Sequence, residues 1–149
     1  MASQSVQIAN ALKTDIDAET WPVTLTTYRE YLGQLSRSDL GSVNRVSIFP
    51  YTLTTERSSR SGVAHERGVG LVLRSQVDPN TASEVDEMIE TVESLAARYM
   101  ATPITYDTDK TATPVSVTQI SGDQMYDVDR LADGRVFQGG ILITYSTRN

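Results

Sequence analysis

Few side chains in this sequence have the type and spacing for chemistry. His65 is the only histidine. As a general base it needs a nucleophile and an orienting acid within reach. Glu66 follows it, and a lone histidine in a strand is more often an exposed or interface residue than a catalyst. Asp107-Thr108-Asp109 and Asp127-Val128-Asp129 alternate acids. A calcium loop needs further oxygens, a central glycine and a glutamate at its twelfth position. Neither stretch supplies these, so both read as solvated loop acids. Gly68-Val69-Gly70 and Gly139-Gly140 precede no helix and lack the lysine of a phosphate loop. The second pair reads as a bulge within a strand. Ser58, Ser59 and Ser61 fall in no nucleophile elbow. Glu84, Glu87 and Glu90 read as the polar face of a helix. The chain has no cysteine, which removes disulfides, thiolate catalysis and cysteine zinc sites. The expectation is a protein that is not an enzyme, with no catalytic, cofactor-binding or metal-binding residue and no cofactor.

The elements that hold these residues follow from periodicity. Residues 3–17 predict a short amphipathic helix, with Ile8, Leu12 and Ile16 four apart and Ala9 beside them. Trp21-Pro22 ends it, because the residue before proline avoids helical geometry. Residues 23–32 (VTLTTYREYL) read as a strand, and 33–42 as a polar connection with room for one helical turn. Residues 45–51 (RVSIFPY) are a strand in which Pro50 must sit at an edge or an end, since it cannot donate to a ladder. Residues 63–77 form the return strand, with Val69, Leu71 and Leu73 on one face. Gly68 and Gly70 share the other face with Val72, which implies a close neighbour or a bend.

Residues 81–100 give the clearest signal. Val85, Met88, Ile89, Val92, Leu95, Ala96 and Tyr99 follow the spacing of a buried helical face. Thr81 and Glu84 suit a capping box. Residues 105–112 read as a polar loop, 114–121 (PVSVTQIS) as a strand, 122–134 as an acidic connection and 135–146 (RVFQGGILITYS) as the closing strand. The order predicts a single domain over 1–149 of the α+β class. Its sheet is mostly antiparallel or mixed, two helices pack on one face, and a long β-hairpin arm covers about 52–66.

That arm is the least ordinary segment. Glu56-Arg57-Ser58-Ser59-Arg60-Ser61-Gly62 joins two strands with no apolar residue, whereas most hairpins turn in two to five residues. Polar segments of this length usually order against a partner. Arg57, Arg60, His65 and Arg67 are therefore the candidate interface residues. The formal charge of −6 and pI of about 4.7 argue against a general nucleic-acid binder. Lys13 and Lys110 are the only lysines, so the basic residues are nearly all arginine, the better side chain for bidentate contacts. Charged residues make up 21% of the chain, low for a free-standing surface. No run reaches the length of a membrane span, and 1–17 lacks the basic start and apolar core of a signal peptide. The expected place of action is a cytoplasm, or a particle assembled there, without a membrane.

The ordered layout resembles the small neck proteins of tailed bacteriophages, most closely the tail-terminator family of long-tailed phages. The likeness rests on the first helix (SVQIANALKTDI), a strand opening with VSIFP, the polar arm, a strand such as GVGLVLRSQV, a helix with VDEMIETVESL and the terminal strand VFQGGILITYST. The resemblance implies a structural virion protein. It would form a ring, most often of six copies, at the head-proximal end of the tail, ending tube polymerisation and joining tail to head. The implied partners are other copies of the chain, the tail-tube protein and a head-completion or connector protein. DNA would pass the lumen without specific binding. The family carries no catalytic signature to transfer. Three rivals remain: a head-completion or stopper protein, a small protein-binding adaptor with one exposed apolar groove, and an enzyme that gathers Asp123, Asp127, Asp129 or His65 in one pocket.

Overall fold

The computed structural model describes residues 3–33, 35–57, 63–120 and 124–148, without the side chains of Arg57 and Arg148. Six strands form one mixed sheet in the order β1-β2-β3-β6-β5-β4. They are β1 (Leu25–Arg29), β2 (Asn44–Arg57), β3 (Val63–Gln76), β4 (Ile104–Tyr106), β5 (Lys110–Gln119) and β6 (Val136–Arg148). Only β1 and β2 run parallel; the other neighbours are antiparallel. The long helices are α1 (Gln4–Ala18) and α3 (Ala82–Ala101), and the short ones are α2 (Arg37–Leu40) and α4 (Val128–Gly134). The α+β class and mixed sheet are as the sequence indicates.

The core lies between the sheet and the two long helices. Ile8, Leu12 and Ile16 of α1 and Met88, Val92, Leu95 and Tyr99 of α3 are buried with Val46, Ile48, Val69, Leu71, Leu73, Ile141, Ile143 and Tyr145. The period-two residues of three central strands thus meet the period-3.6 stripes of two helices. Ile89, expected within the buried stripe, is only half-buried and sits at its flank.

Several expectations change. Residues 105–112 are not a loop: β4 and the start of β5 form a hairpin, with Ile104, Tyr106 and Ala112 buried. The turn takes Asp107 and Thr108 into positive φ (50° and 64°), and these polar residues hide a three-residue strand from periodicity. The acidic connection contains α4, whose start is capped by the Asp127 carboxylate accepting from the Arg130 N–H at 3.1 Å. Gly139-Gly140 is no bulge, because β6 keeps its register with β3 there. The register shifts fall instead between Pro50 and Thr52 and between Pro114 and Ser116. Thr81 makes no side-chain cap. Its hydroxyl donates to Asp78 (3.1 Å), and Glu84 accepts from the Asp78 N–H (2.8 Å), so the Asp78 turn replaces the capping box.

The second sheet face is partly covered by residues 30–33, Leu35, α2 and α4. Arg74 is buried there, donating to the Gly33 carbonyl and to Ser47 Oγ. Glu30 takes both donors of Arg45 at 2.6 and 2.7 Å and lies 3.8 Å from Arg74. That pairing, with Ser47 and despite some burial, holds the Glu30 carboxyl below its usual range. These polar ties stand in for apolar packing and fasten the chain after β1 to the sheet.

Candidate interaction surface

The hairpin of β2 and β3 outruns the helical layer. Strand β1 ends opposite Ile48, so beyond that point β2 pairs, among the described residues, only with β3. Pro50 lies on this open side, which suits a residue with no N–H. Strand β6 follows β3 as far as Ala64, so the base of the arm is three-stranded. Residues 51–56 are all exposed. Gly68 and Gly70 allow the arm to leave the sheet compactly. A Cβ on Gly70 would lie 2.6 Å from the Phe49 ring, and one on Gly68 would lie 2.0 Å from Thr52 Oγ1. The close neighbour that the glycines imply is thus β2 itself. Tyr51, at the register shift, stands edge-on to Phe49 with ring centroids 5.8 Å apart. Leu53 and Val63 are exposed and share the face of the arm that continues the helix side of the sheet.

The four candidate interface residues divide. Arg60 and the side chain of Arg57 lie outside the described residues; Arg57 itself pairs in register with Val63. His65 sits mid-arm between Thr55 and Thr147, and its Nδ1 shares a hydrogen bond with Thr55 Oγ1 at 2.9 Å. Arg67 is buried, donating to Thr147 Oγ1 (3.2 Å) and Ser5 Oγ (2.9 Å). It ties the start of α1 to β6 within the subunit.

The acids do not converge with the histidine. Asp127 caps α4, and its N–H donates to the Gln138 carbonyl. His65 pairs with Thr147, nine residues further along β6, roughly 30 Å away at about 3.4 Å per residue. Asp123 lies outside the described residues. Asp107 forms an ion pair with Lys110 at 3.2 Å. Among the described residues no group of three or more histidine and carboxylate side chains is placed to hold a metal ion. No helix among them is long and apolar enough to cross a membrane.

A second surface was not singled out by sequence reasoning. Among the described residues, β4 covers β5 only from Lys110 to Ala112, and residues 113–119 of β5 pair with β6 alone. The Ile120 N–H donates to the Gly140 carbonyl. Antiparallel alternation then points the N–H and C=O groups of Val117 and Gln119 away from β6. Between this open edge and α3 lies a groove of about 470 Å³, lined by Val92, Ala96, Val117, Met125 and Ile141 with Glu93 at its rim. Asp86, Glu90 and Glu93 follow one another at i, i+4 and i+7 along the exposed side of α3. Among the described residues none of these three forms an ion pair. Of the polar face read from sequence (Glu84, Glu87 and Glu90), only Glu90 belongs to this one-signed stripe. Sequence reasoning named Glu90 but not the stripe, the groove or the open strand.

No protein-family model matches the chain, and no curated protein matches it.

Proposed function

We propose that the chain is a structural subunit of a phage neck, the tail terminator at the head-proximal end of the tail. In this reading six copies close into a ring that stops tube growth, presents a face to a head-completion or connector protein and lets DNA pass without specific contact. The protein is assembled in the host cytoplasm and resides in the virion. The observation that supports this most is the arm: β2 and β3 continue past the helical layer with every residue from 51 to 56 exposed. A lone subunit gains little from ordering such a projection, whereas an assembly gains contact area between neighbours. The acidic balance suits a lumen along which DNA slides. A head-completion or stopper protein would use the same features one ring higher in the neck. The test is imaging of isolated tails with the subunit labelled. One terminal ring is expected, and label distributed along the tube refutes the reading.

The groove between α3 and β5 favours a second reading, a small adaptor that binds another protein. An adaptor remains a monomer at all concentrations and leaves tails unlabelled. Mass measurement together with the same images separates the two.

A further inference from the structure

We propose that the groove between α3 and the open edge of β5 receives the arm of a second copy of this chain, with Arg57 and Arg60 of that arm set against Asp86, Glu90 and Glu93. The inference rests on the self-assembling reading above and names the surface through which neighbouring copies engage.

Three observations converge on this occupant. The first is backbone chemistry. The outward N–H and C=O groups of Val117 and Gln119 lie on a strand edge that is unpaired among the described residues, and an extended segment satisfies them by adding a strand. The arm is such a segment, being the end of two long strands.

The second is charge. Glu93 lines the groove, and Glu90 and Asp86 extend from it along the exposed side of α3, all three without ion-pair partners among the described residues. The arm places two arginines within four residues, in a chain whose net charge is −6. Arginine against carboxylate gives the strongest paired hydrogen bonds available between side chains. Val63 and Leu53 share one face of the arm and are 38% and 59% exposed. That face offers apolar side chains to the apolar floor formed by Val92, Ala96, Val117 and Ile141.

The third is reach. Val117 is level with Ile143 of β6, which is level with Val69 of β3. The described arm ends at Val63, six residues further along β3, which is roughly 20 Å. The five residues that join Arg57 to Val63 are too few to turn back over that distance and across β6, so an arm cannot enter the groove of its own subunit. The occupant comes from another copy, and the contact is head-to-tail, arm of one to groove of the next.

The chain has no cysteine, so a disulfide between introduced cysteines reports this contact directly. The experiment uses full-length protein carrying Ser59→Cys mixed with protein carrying Gln119→Cys, oxidised over a range of concentrations. A partner carrying Thr14→Cys, on the exposed side of α1, serves as control. The expected result is a heterodimeric bridge with Gln119→Cys and little with Thr14→Cys. Introducing Glu90→Arg and Glu93→Arg into the groove partner should reduce the bridge at least about tenfold, because like charges placed face to face strongly disfavour an interface. Adding Arg57→Glu and Arg60→Glu to the arm partner should restore it. Restoration requires the two charged sets to meet, and loss of folding cannot produce it. Absence of the bridge at every concentration, or equal bridging to Thr14→Cys, overturns the inference. If labelled tails still show one terminal ring, the tail-terminator reading stands and only the docking site is wrong. If the tails carry no ring, both fail.

Discussion

Asp15 links the two long helices, and its removal tests how the helical layer is held. Its Oδ2 accepts from Arg98 Nε at 3.0 Å and from the Tyr99 hydroxyl at 2.7 Å, and its Oδ1 accepts from Arg98 at 3.2 Å. Asp15→Ala leaves Arg98 with Glu19, 3.1 Å away, so the guanidinium keeps one partner. Tyr99 is fully buried and loses its acceptor. An orphaned buried hydroxyl costs about 1–3 kcal/mol. The Asp15–Arg98 pair, with side chains 28% and 29% exposed, adds only about 1 kcal/mol after solvent screening. The sum is about 2–4 kcal/mol, or a fall in Tm of about 5–15 °C for a chain of this size. Asp15→Asn keeps an oxygen for Tyr99 and should lose less.

The effect also has a pH signature. Burial by itself would raise the Asp15 carboxyl, but the bonds from Arg98 and Tyr99 and the charge of Arg98 outweigh it and hold the group below its usual value. The folded protein therefore keeps Asp15 ionised to lower pH than the unfolded chain. Its contribution is complete above the unfolded aspartate range, near pH 4, and is lost as pH falls through the lower folded value. Urea denaturation of both proteins at pH 7 and at pH 3 is the assay. The deficit of Asp15→Ala should shrink at pH 3 towards the part due to Tyr99 alone. Equal deficits at the two pH values, or no deficit at pH 7, refute the reasoning.

Three further outcomes can be checked by thermal or urea denaturation. Leu95→Ala removes a side chain that is 2% exposed in the core and should cost about 2–5 kcal/mol, whereas Glu90→Ala on the exposed face of α3 should change stability little; similar costs for both overturn the assigned helix face. Gly139→Ala would place a methyl group 2.7 Å from the Met125 carbonyl oxygen and 2.9 Å from the Phe137 ring, so it should destabilise by about 1–3 kcal/mol, and a neutral result means that the chain at Met125 gives way. Tyr145 is fully buried, and its hydroxyl has no hydrogen-bond partner among the described residues; Tyr145→Phe should therefore be neutral or stabilising by about 1 kcal/mol, in contrast to Tyr99→Phe, which deletes a made bond.

The parts of the fold legible in the sequence are those where one periodicity runs unbroken. Helix α3 and the strand residues Val69, Leu71, Leu73, Ile141, Ile143 and Tyr145 belong to this group. Strand β4 was missed because three residues show barely one alternation, and its partner begins in the charged Asp107–Lys110 turn. Helix α4 was missed because it has no buried residue and so leaves no apolar stripe. Sequence marked Arg67 for an interface by its closeness to the arm. The register turns it onto the helix side, where Ser5 and Thr147 take its donors. The groove had no linear signal, since Val92, Val117 and Ile141 are far apart in the chain and the edge of β5 beyond Ala112 is open because β4 begins only at Ile104. Pairing of edges is a tertiary property, and composition does not encode it.

The placement of the two surfaces bears on what kind of assembly they could form. The arm lies where β2 and β3 outrun the helices, and the groove lies at the edge of β5, two strands across the sheet and several residues back along it. The two surfaces differ in charge and in shape. A pair of copies joined arm to groove therefore leaves one arm and one groove unused, and each added copy leaves the same. Growth ends only when a fixed rotation per copy brings the last groove to the first arm; otherwise the contact propagates as a filament. An arm of two or three strands, anchored by Phe49 over Gly70 and by Thr52 over Gly68, holds the angle between successive copies more firmly than a flexible tail would. Substitutions at Gly68 or Gly70 should then alter the closure angle before they alter the affinity of a single contact, giving open or irregular oligomers from subunits that still bind one another.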